Sequence, residues 1–279
     1  MDNQKIWFVT GASKGMGLLL TKILLEKGNK VAATSRNSDL LKSNVGIESD
    51  HFLPLALDIT NSEAVKQAIS QTIEYFGGLD VAVNNAGFSF IGSLEELTDE
   101  EFRKALDVNL FGMVNVIRAS MAQFRKQRSG RIINIASAAG YIAGPNIGSY
   151  VASKFAIVGL TEALALEAIR LNIKPTVVLP GSFRTNFLDD GSLNYVKNPI
   201  PDYESVNTYN SYAERAGKQP GDPEKLVAEL VNLANMENPP VHLILGPDSF
   251  KMIMDKRARD LEEFEAFKKI SLSTDLKVN

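Results

Sequence analysis

Residues 10–17, Thr-Gly-Ala-Ser-Lys-Gly-Met-Gly, set three glycines between two segments of different periodicity. Ahead of them Lys5 to Thr10 is a short apolar, β-branched run that reads as a buried strand. Behind them Met16, Leu19, Leu20, Ile23 and Leu24 recur at helical spacing, and Gly28 stands where a helix C-terminus belongs. A strand that turns this quickly into a helix needs special backbone. Gly11 can bend the chain, Gly15 lets backbone approach a phosphate, and Gly17 lets the helix lie close to the sheet. A pyrophosphate at that helix N-terminus would meet free backbone N–H groups and the positive end of the dipole. The spacing is GxxxGxG, not the GxGxxG of the dinucleotide fingerprint, so the glycines alone could be a plain tight turn. The strand before and the helix after favour the phosphate.

The same alternation runs on through the chain. Strands are predicted at Lys30 to Thr34, His51 to Leu57, Leu79 to Val83, Arg131 to Ala136, Ile173 to Leu179 and Val241 to Leu245. Helical stripes fall at 61–76, 100–128, 150–171 and 223–236. No linker interrupts them. The pattern predicts one α/β domain over residues 1–249, a Rossmann-like doubly wound parallel sheet of about seven strands with helices on both faces. Two regions depart from it. Residues 182–222, rich in Asn, Gly, Pro and Tyr, show no clear strand and read as a substrate lid. Residues 250–279 read as a helical tail whose Leu261, Phe264 and Phe267 share one face, expected to pack on the body or on another subunit.

Composition removes whole classes of chemistry. The chain has 279 residues, 44% hydrophobic and 23% charged, which is ordinary for a globular protein and excludes a disordered one. It has no cysteine and only His51 and His242, so thiolate metal sites, cysteine nucleophiles and zinc chemistry are poor candidates and no metal is expected. A net charge of -3 gives no basic footprint for nucleic acid. No run approaches the roughly 18 apolar residues of a membrane span, so no membrane is expected and a cytoplasmic location is the default. Gly11-Ala12-Ser13-Lys14-Gly15 also spells G-x-S-x-G, the nucleophile elbow of serine hydrolases. That elbow needs an oxyanion loop from an earlier strand, and only ten residues precede Gly11. The hydrolase reading fails on geometry.

Tyr150 and Lys154 are four residues apart in a predicted helix and project from one face. An ammonium beside a phenol favours the phenolate and lowers a pKa that starts near 10. Such a group can exchange a proton near neutral pH. Alone the pair would be surface decoration, but its company is not ordinary. Ser137, Asn84-Asn85-Ala86-Gly87, Asp58-Ile59 and Pro180-Gly181 each follow a predicted strand, at the edge where open α/β sheets hold ligands.

With Thr-Gly-x-x-x-Gly-x-Gly at 10–17, Asn-Asn-Ala-Gly at 84–87, Asn109, Ser137, Tyr-x-x-x-Lys at 150–154 and Pro-Gly at 180–181, the chain resembles the short-chain dehydrogenase/reductase (SDR) family. The match covers about the first 190 residues and runs more loosely to 246. The resemblance implies an oxidoreductase acting on CH–OH/C=O groups, with Tyr150 as proton donor or acceptor. It implies Ser137 holding the carbonyl oxygen, Lys154 on the nicotinamide ribose and Asn109 positioning a water in the proton relay. It places Gly11, Ser13, Lys14, Gly15, Met16 and Gly17 at the pyrophosphate turn and Ser35 and Arg36 after the second strand. Asp58 and Ile59 fall at adenine, Asn85, Ala86 and Gly87 along the adenosine ribose, and Pro180, Gly181, Phe183 and Thr185 around the nicotinamide. Phe183 departs from the family's usual Val or Ile and is expected to narrow the substrate side.

Charge speaks to the cofactor. Relatives that prefer NAD place an Asp at the end of the second strand, whereas here the sequence is Thr34-Ser35-Arg36. Arg36, helped by Lys14, can pair with a 2′-phosphate, so NADP(H) is expected to be preferred, with NAD(H) possible. Phe88, Tyr141, Phe183 and Phe187, with Ser137 and Tyr150, are the expected substrate contacts, and Phe90, Tyr195, Tyr203, Tyr209 and Tyr212 add to an aromatic lid. Such a lining suits a small-molecule substrate, a largely apolar ketone or secondary alcohol, although the rings could equally serve only to pack the lid. A catalytically silent NADP(H)-binding redox sensor is the alternative. The intact Ser137, Tyr150, Lys154 and Asn109 argue against it. An epimerase or dehydratase would want a larger C-terminal substrate domain. The resemblance also implies a homo-tetramer or homo-dimer built on the long helices at 100–128 and 150–171.

Overall fold

The computed structural model describes residues 4–188, 192–206 and 214–276. Among them, seven strands form one sheet in the order β3-β2-β1-β4-β6-β7-β9, and every neighbouring pair is parallel. These are β1 (Ile6–Thr10), β2 (Lys30–Ser35), β3 (Phe52–Ala56), β4 (Val81–Asn84), β6 (Gly130–Ile135), β7 (Ile173–Pro180) and β9 (His242–Leu245). Their apolar residues alternate between the two faces. Phe8, Ala32, Ala82, Ile132 and Val177 meet α3 (Ser62–Phe76), α5 (Gly112–Gln127) and α6 (Gly148–Ala168). Val9, Val31, Val83, Ile133 and Val178 meet α1 (Gly15–Glu26), α2 (Ser38–Val45) and α7 (Pro223–Asn235) on the other side. With both faces covered, each strand is mostly apolar on both sides, which is why these segments read as nearly continuous runs. The expected doubly wound single domain is what the chain forms.

Several elements were not expected. Helix α2 has only two buried residues, Leu41 and Val45, too few to make a stripe. Within the 182–222 region, β8 (Leu193–Tyr195) is a strand after all and pairs in parallel with β5 (Ser89–Ile91). Three residues on each side carry no periodicity of their own, so the pairing is visible only in three dimensions. Beneath it Phe90, Leu97, Ala105 and Val196 form a small separate core. Helix α4 (Asp99–Leu106) passes into α5 through a π-helical turn, Asp107–Phe111, so the predicted 100–128 helix is nearly continuous. The last helix, α8 (Pro247–Ser271), starts three residues before the expected tail. Its first turns dock through Ser249 and Ile253, but Leu261, Phe264 and Phe267 are exposed and do not pack on this chain's described residues. Tyr209 and Tyr212 lie outside the described residues.

Leu20 is fully buried under the sheet from α1, while Leu166 on α6 is 76% exposed. Leu20→Ala is therefore expected to lower stability by about 2–5 kcal/mol and Leu166→Ala by less than about 0.5 kcal/mol in urea unfolding. Equal losses at the two sites would contradict the packing described.

Candidate active site

Strand order reverses between β1 and β4, and the carboxyl ends of those strands border a crevice. Both ends are tied together there. Thr10 Oγ1 accepts the N–H groups of Asn85 (3.0 Å) and Ala86 (3.1 Å), and Asn85 Nδ2 donates to the carbonyls of Thr10 (2.9 Å) and Gly11 (3.0 Å). The glycine turn fits around this lock. Gly11 and Gly15 have φ of 66° and 56°, and a β-carbon on Gly17 would sit 2.5 Å from Asn85 Nδ2 and from Gly11 O. Gly17 is thus a packing glycine and lies outside the cleft lining. Asn44, from α2, supports the turn by donating to Ser13 O at 2.8 Å.

The crevice opens into a cleft of about 1270 Å³. At one end lies the N-terminus of α1. Its N-cap, Lys14, makes no side-chain cap, and its first turn holds no acid. Side chains of Asn37, Asn61, Thr98 and Asp222 cap α2, α3, α4 and α7, whereas α6 and α8, like α1, start without one. An uncapped N-terminus facing a cleft suits an anion. Lys14, Arg36, Asp58 and Ile59 line the same end. Hydrogen bonds from the Thr60 N–H and hydroxyl, with a smaller pull from Arg36, hold the Asp58 carboxyl below its ordinary range. Ser35 lines the cleft too, but its hydroxyl is tied into the turn toward α2, donating to Asn37 O at 2.6 Å.

At the other end, α6 carries Tyr150 and Lys154 into the cleft. A buried polar chain sets the height of that helix: Asn84 Nδ2 donates to Asn134 Oδ1 (2.8 Å), and Asn134 Nδ2 to Thr161 Oγ1 (2.9 Å). Lys154 Nζ donates to Ile135 O at 2.8 Å and lies 5.3 Å from the Tyr150 ring centroid. No carboxylate pairs with it among the described residues, and burial pushes its pKa down to about 8. Ser137 lines the cleft at the end of β6, where its Oγ accepts the Ala139 N–H at 3.1 Å. Phe187 packs at a tilt against Tyr150, ring centroids 5.8 Å apart. Asn109 sits in the π-turn, buried, with its side chain bonded to Phe88 N (3.0 Å), Phe88 O (2.8 Å) and Ser153 Oγ (3.2 Å). It lies behind the cleft wall and braces the Gly87–Phe88 backbone against α6.

Residues 5–194 match the model of the short chain dehydrogenase family. The chain belongs to the short-chain dehydrogenase family. It is 38% identical over 244 residues to a 3-ketodihydrosphingosine reductase of Bacteroides thetaiotaomicron, covering 87% of this chain and 88% of that one. A solved short-chain dehydrogenase from Streptomyces avermitilis superposes with a TM-score of 0.90 at 31% identity, covering 98% of this chain and all of the other. The structure of ElxO with NADP bound superposes at 0.72 with 26% identity, covering 87% and 96%. This short-chain dehydrogenase is an oxidoreductase of the CH–OH/C=O class.

The residues expected of a short-chain dehydrogenase are brought to one cleft with three exceptions. Gly17 and Asn109 stand behind its wall, as described. Tyr141 is the third: expected to contact substrate, it does not line the cleft. It follows the turn Ala138–Gly140 and packs against the core, its ring 6.0 Å from that of His242, and burial with the nearby Glu162 raises its phenol's pKa. Phe183 does line the cleft, but its ring does not simply narrow the substrate side. It packs with the α1–α7 face and lies over Gly221, where a β-carbon would meet it at 2.6 Å. Asp248 and Met252 of α8 also line the cleft. The tail's mixed charge and apolar pattern gave no signal of that.

Lys154 binds its proton more weakly in the folded chain than in the unfolded one, where it titrates near 10.5. The unfolded state therefore holds more protons between those values. Stability should rise as pH goes from about 8 to 10.5 and be lost again as pH falls through 8. In urea unfolding across that range, Lys154→Met is expected to lack this component, which is on the order of 3 kcal/mol. Parallel curves for the two proteins would show that the lysine is not depressed.

Proposed function

We propose that this enzyme is an NADPH-dependent carbonyl reductase that reduces a largely apolar ketone and oxidises the corresponding secondary alcohol in reverse. The observation that carries the reading is the cleft itself. One end is an uncapped helix N-terminus with Arg36 and Lys14 beside it, and the other is Tyr150 beside a buried lysine that has no carboxylate partner among the described residues. A phosphate-bearing dinucleotide suits the first end, and Gly11, Ser13, Gly15 and Met16 would hold its pyrophosphate. A dinucleotide held there would supply the hydride that the carbonyl carbon accepts. Ser137 Oγ holds the carbonyl oxygen, and the Tyr150 hydroxyl delivers the proton that completes the alcohol. The Lys154 charge stabilises the negative charge left on the Tyr150 oxygen. Asn109 acts through Phe88 and Ser153, holding the wall behind Lys154 in place.

Arg36 stands where a carboxylate would select NAD, and the NADP-bound structural neighbour supports the phosphate cofactor. The relative named as a 3-ketodihydrosphingosine reductase supports a ketone. Phe88, Phe90, Ile142, Phe187 and Leu188 give the substrate end an apolar lining. Self-association into a dimer or tetramer fits the exposed Phe111, Phe155 and Leu166 on the α4–α5 and α6 helices.

With a panel of apolar ketones, cofactor absorbance is expected to show turnover with NADPH over NADH. Tyr150→Phe should lower kcat by roughly 10²- to 10⁴-fold. Arg36→Ala should lower kcat/KM for NADPH at least about tenfold while leaving NADH little changed. Preference for NADH in the wild type would contradict the cofactor assignment, and full activity of Tyr150→Phe would contradict the mechanism.

A further inference from the structure

Helix α8 begins directly after β9, and its first turn folds back on the end of β7. Ser249, fully buried, donates its hydroxyl to Leu179 O at 2.9 Å. Asp248 Oδ2 accepts the backbone N–H of Ser182 at 2.7 Å. The same carboxylate lies against Gly181, where any β-carbon would overlap it, and a β-carbon on Gly246 would come within 2.6 Å of Oδ1. Gly181 N in turn donates to Leu245 O at 2.9 Å. From the other side Gly221 N donates to Ser182 O (3.0 Å) and Arg184 N to Gly221 O (2.9 Å). The peptide units just beyond β7 are therefore gripped between α8 and residue 221, and Asp248 is the charged member of the grip.

A segment leaving a parallel strand through a glycine is free to swing unless something fixes it. A carboxylate accepting a backbone N–H is a stronger fastening than a neutral acceptor, and the first turn of a helix favours its charge. Asp248 also lines the cleft, on the wall formed by Pro180, Gly181 and Phe183. We propose that Asp248 is a positioning residue for the nicotinamide end of the cofactor. Through the Ser182 N–H and its seat on Gly181 it fixes the Gly181–Phe183 peptides against which the carboxamide and ring come to rest. This rests on the NADPH reading given above. It also gives the C-terminal helix a part in the reaction, since the fastening is anchored by the buried turn at Ser249 and Ile253.

The test separates the two halves of the cofactor. Binding of 2′,5′-ADP reports the adenosine end alone, and the fluorescence enhancement and anisotropy of bound NADPH report the order of the nicotinamide. Asp248→Ala is expected to bind 2′,5′-ADP like the wild type, within about twofold, while losing most of the nicotinamide signal. Asp248→Asn keeps an oxygen that accepts the Ser182 N–H and should retain much of that signal. Gly181→Ala should reproduce the Asp248→Ala defect by pushing the carboxylate away, and adding it to Asp248→Ala should cost little more. A wild-type nicotinamide signal in Asp248→Ala would overturn the proposal. So would an equal loss of 2′,5′-ADP binding, which would make the role generally structural. Failure of the wild type to bind 2′,5′-ADP would overturn the cofactor reading beneath it.

Discussion

The hydrogen bonds between Thr10 and the Asn85–Ala86 backbone, returned by the Asn85 amide to Thr10 and Gly11, fasten the two strand ends on either side of the topological reversal. Such a junction is where a doubly wound sheet opens, and without a fastening the ends of β1 and β4 would be two loose loops. With it, the glycine turn is pressed against β4, α1 starts at a fixed place, and its N-terminus faces the cleft uncapped. One threonine hydroxyl and one carboxamide thus set where an anion can bind. The same strand continues the geometry on its other side, because Asn84 opens the buried chain through Asn134 to Thr161 that sets α6 on the sheet. The two ends of the site are referenced to adjacent residues, Asn84 at the end of β4 and Asn85 just beyond it.

The second constraint is the charge of Lys154. A buried ammonium with a backbone carbonyl as its hydrogen-bond partner is destabilising by itself, and burial depresses its pKa to about 8. Perturbed groups of this kind cluster at functional sites, and the Tyr150 ring beside it is why we propose that the charge serves that phenol. Asn109 ties the neighbouring Phe88 backbone to Ser153 on the helix that carries the lysine. The π-turn at Asn109 is the local irregularity that lets this side chain reach both Phe88 and α6.

Much of this was legible before any coordinates. The glycine turn, the strand–helix alternation and the Tyr150–Lys154 spacing each follow from local rules, and local rules place elements and gather residues at a sheet edge. Features decided by remote partners were not legible. Tyr141 packs on the core beside His242, Phe183 finds room because Gly221 has no side chain, and β8 pairs with β5, which lies beside it. Asp248 belongs to the same class. Its meaning comes from Ser182, 66 residues earlier in the chain, and nothing at 247–250 announces it.

The account turns on one placement, that of a phosphate-bearing dinucleotide along this cleft, and a crystal structure of the protein grown with NADP⁺ tests it most directly. The pyrophosphate is expected on the backbone N–H groups at the start of α1, the 2′-phosphate beside Arg36, and the nicotinamide ribose within hydrogen-bonding distance of Lys154. Electron density for the nicotinamide away from the Tyr150–Lys154 end, or a pyrophosphate elsewhere than at the α1 N-terminus, would contradict it.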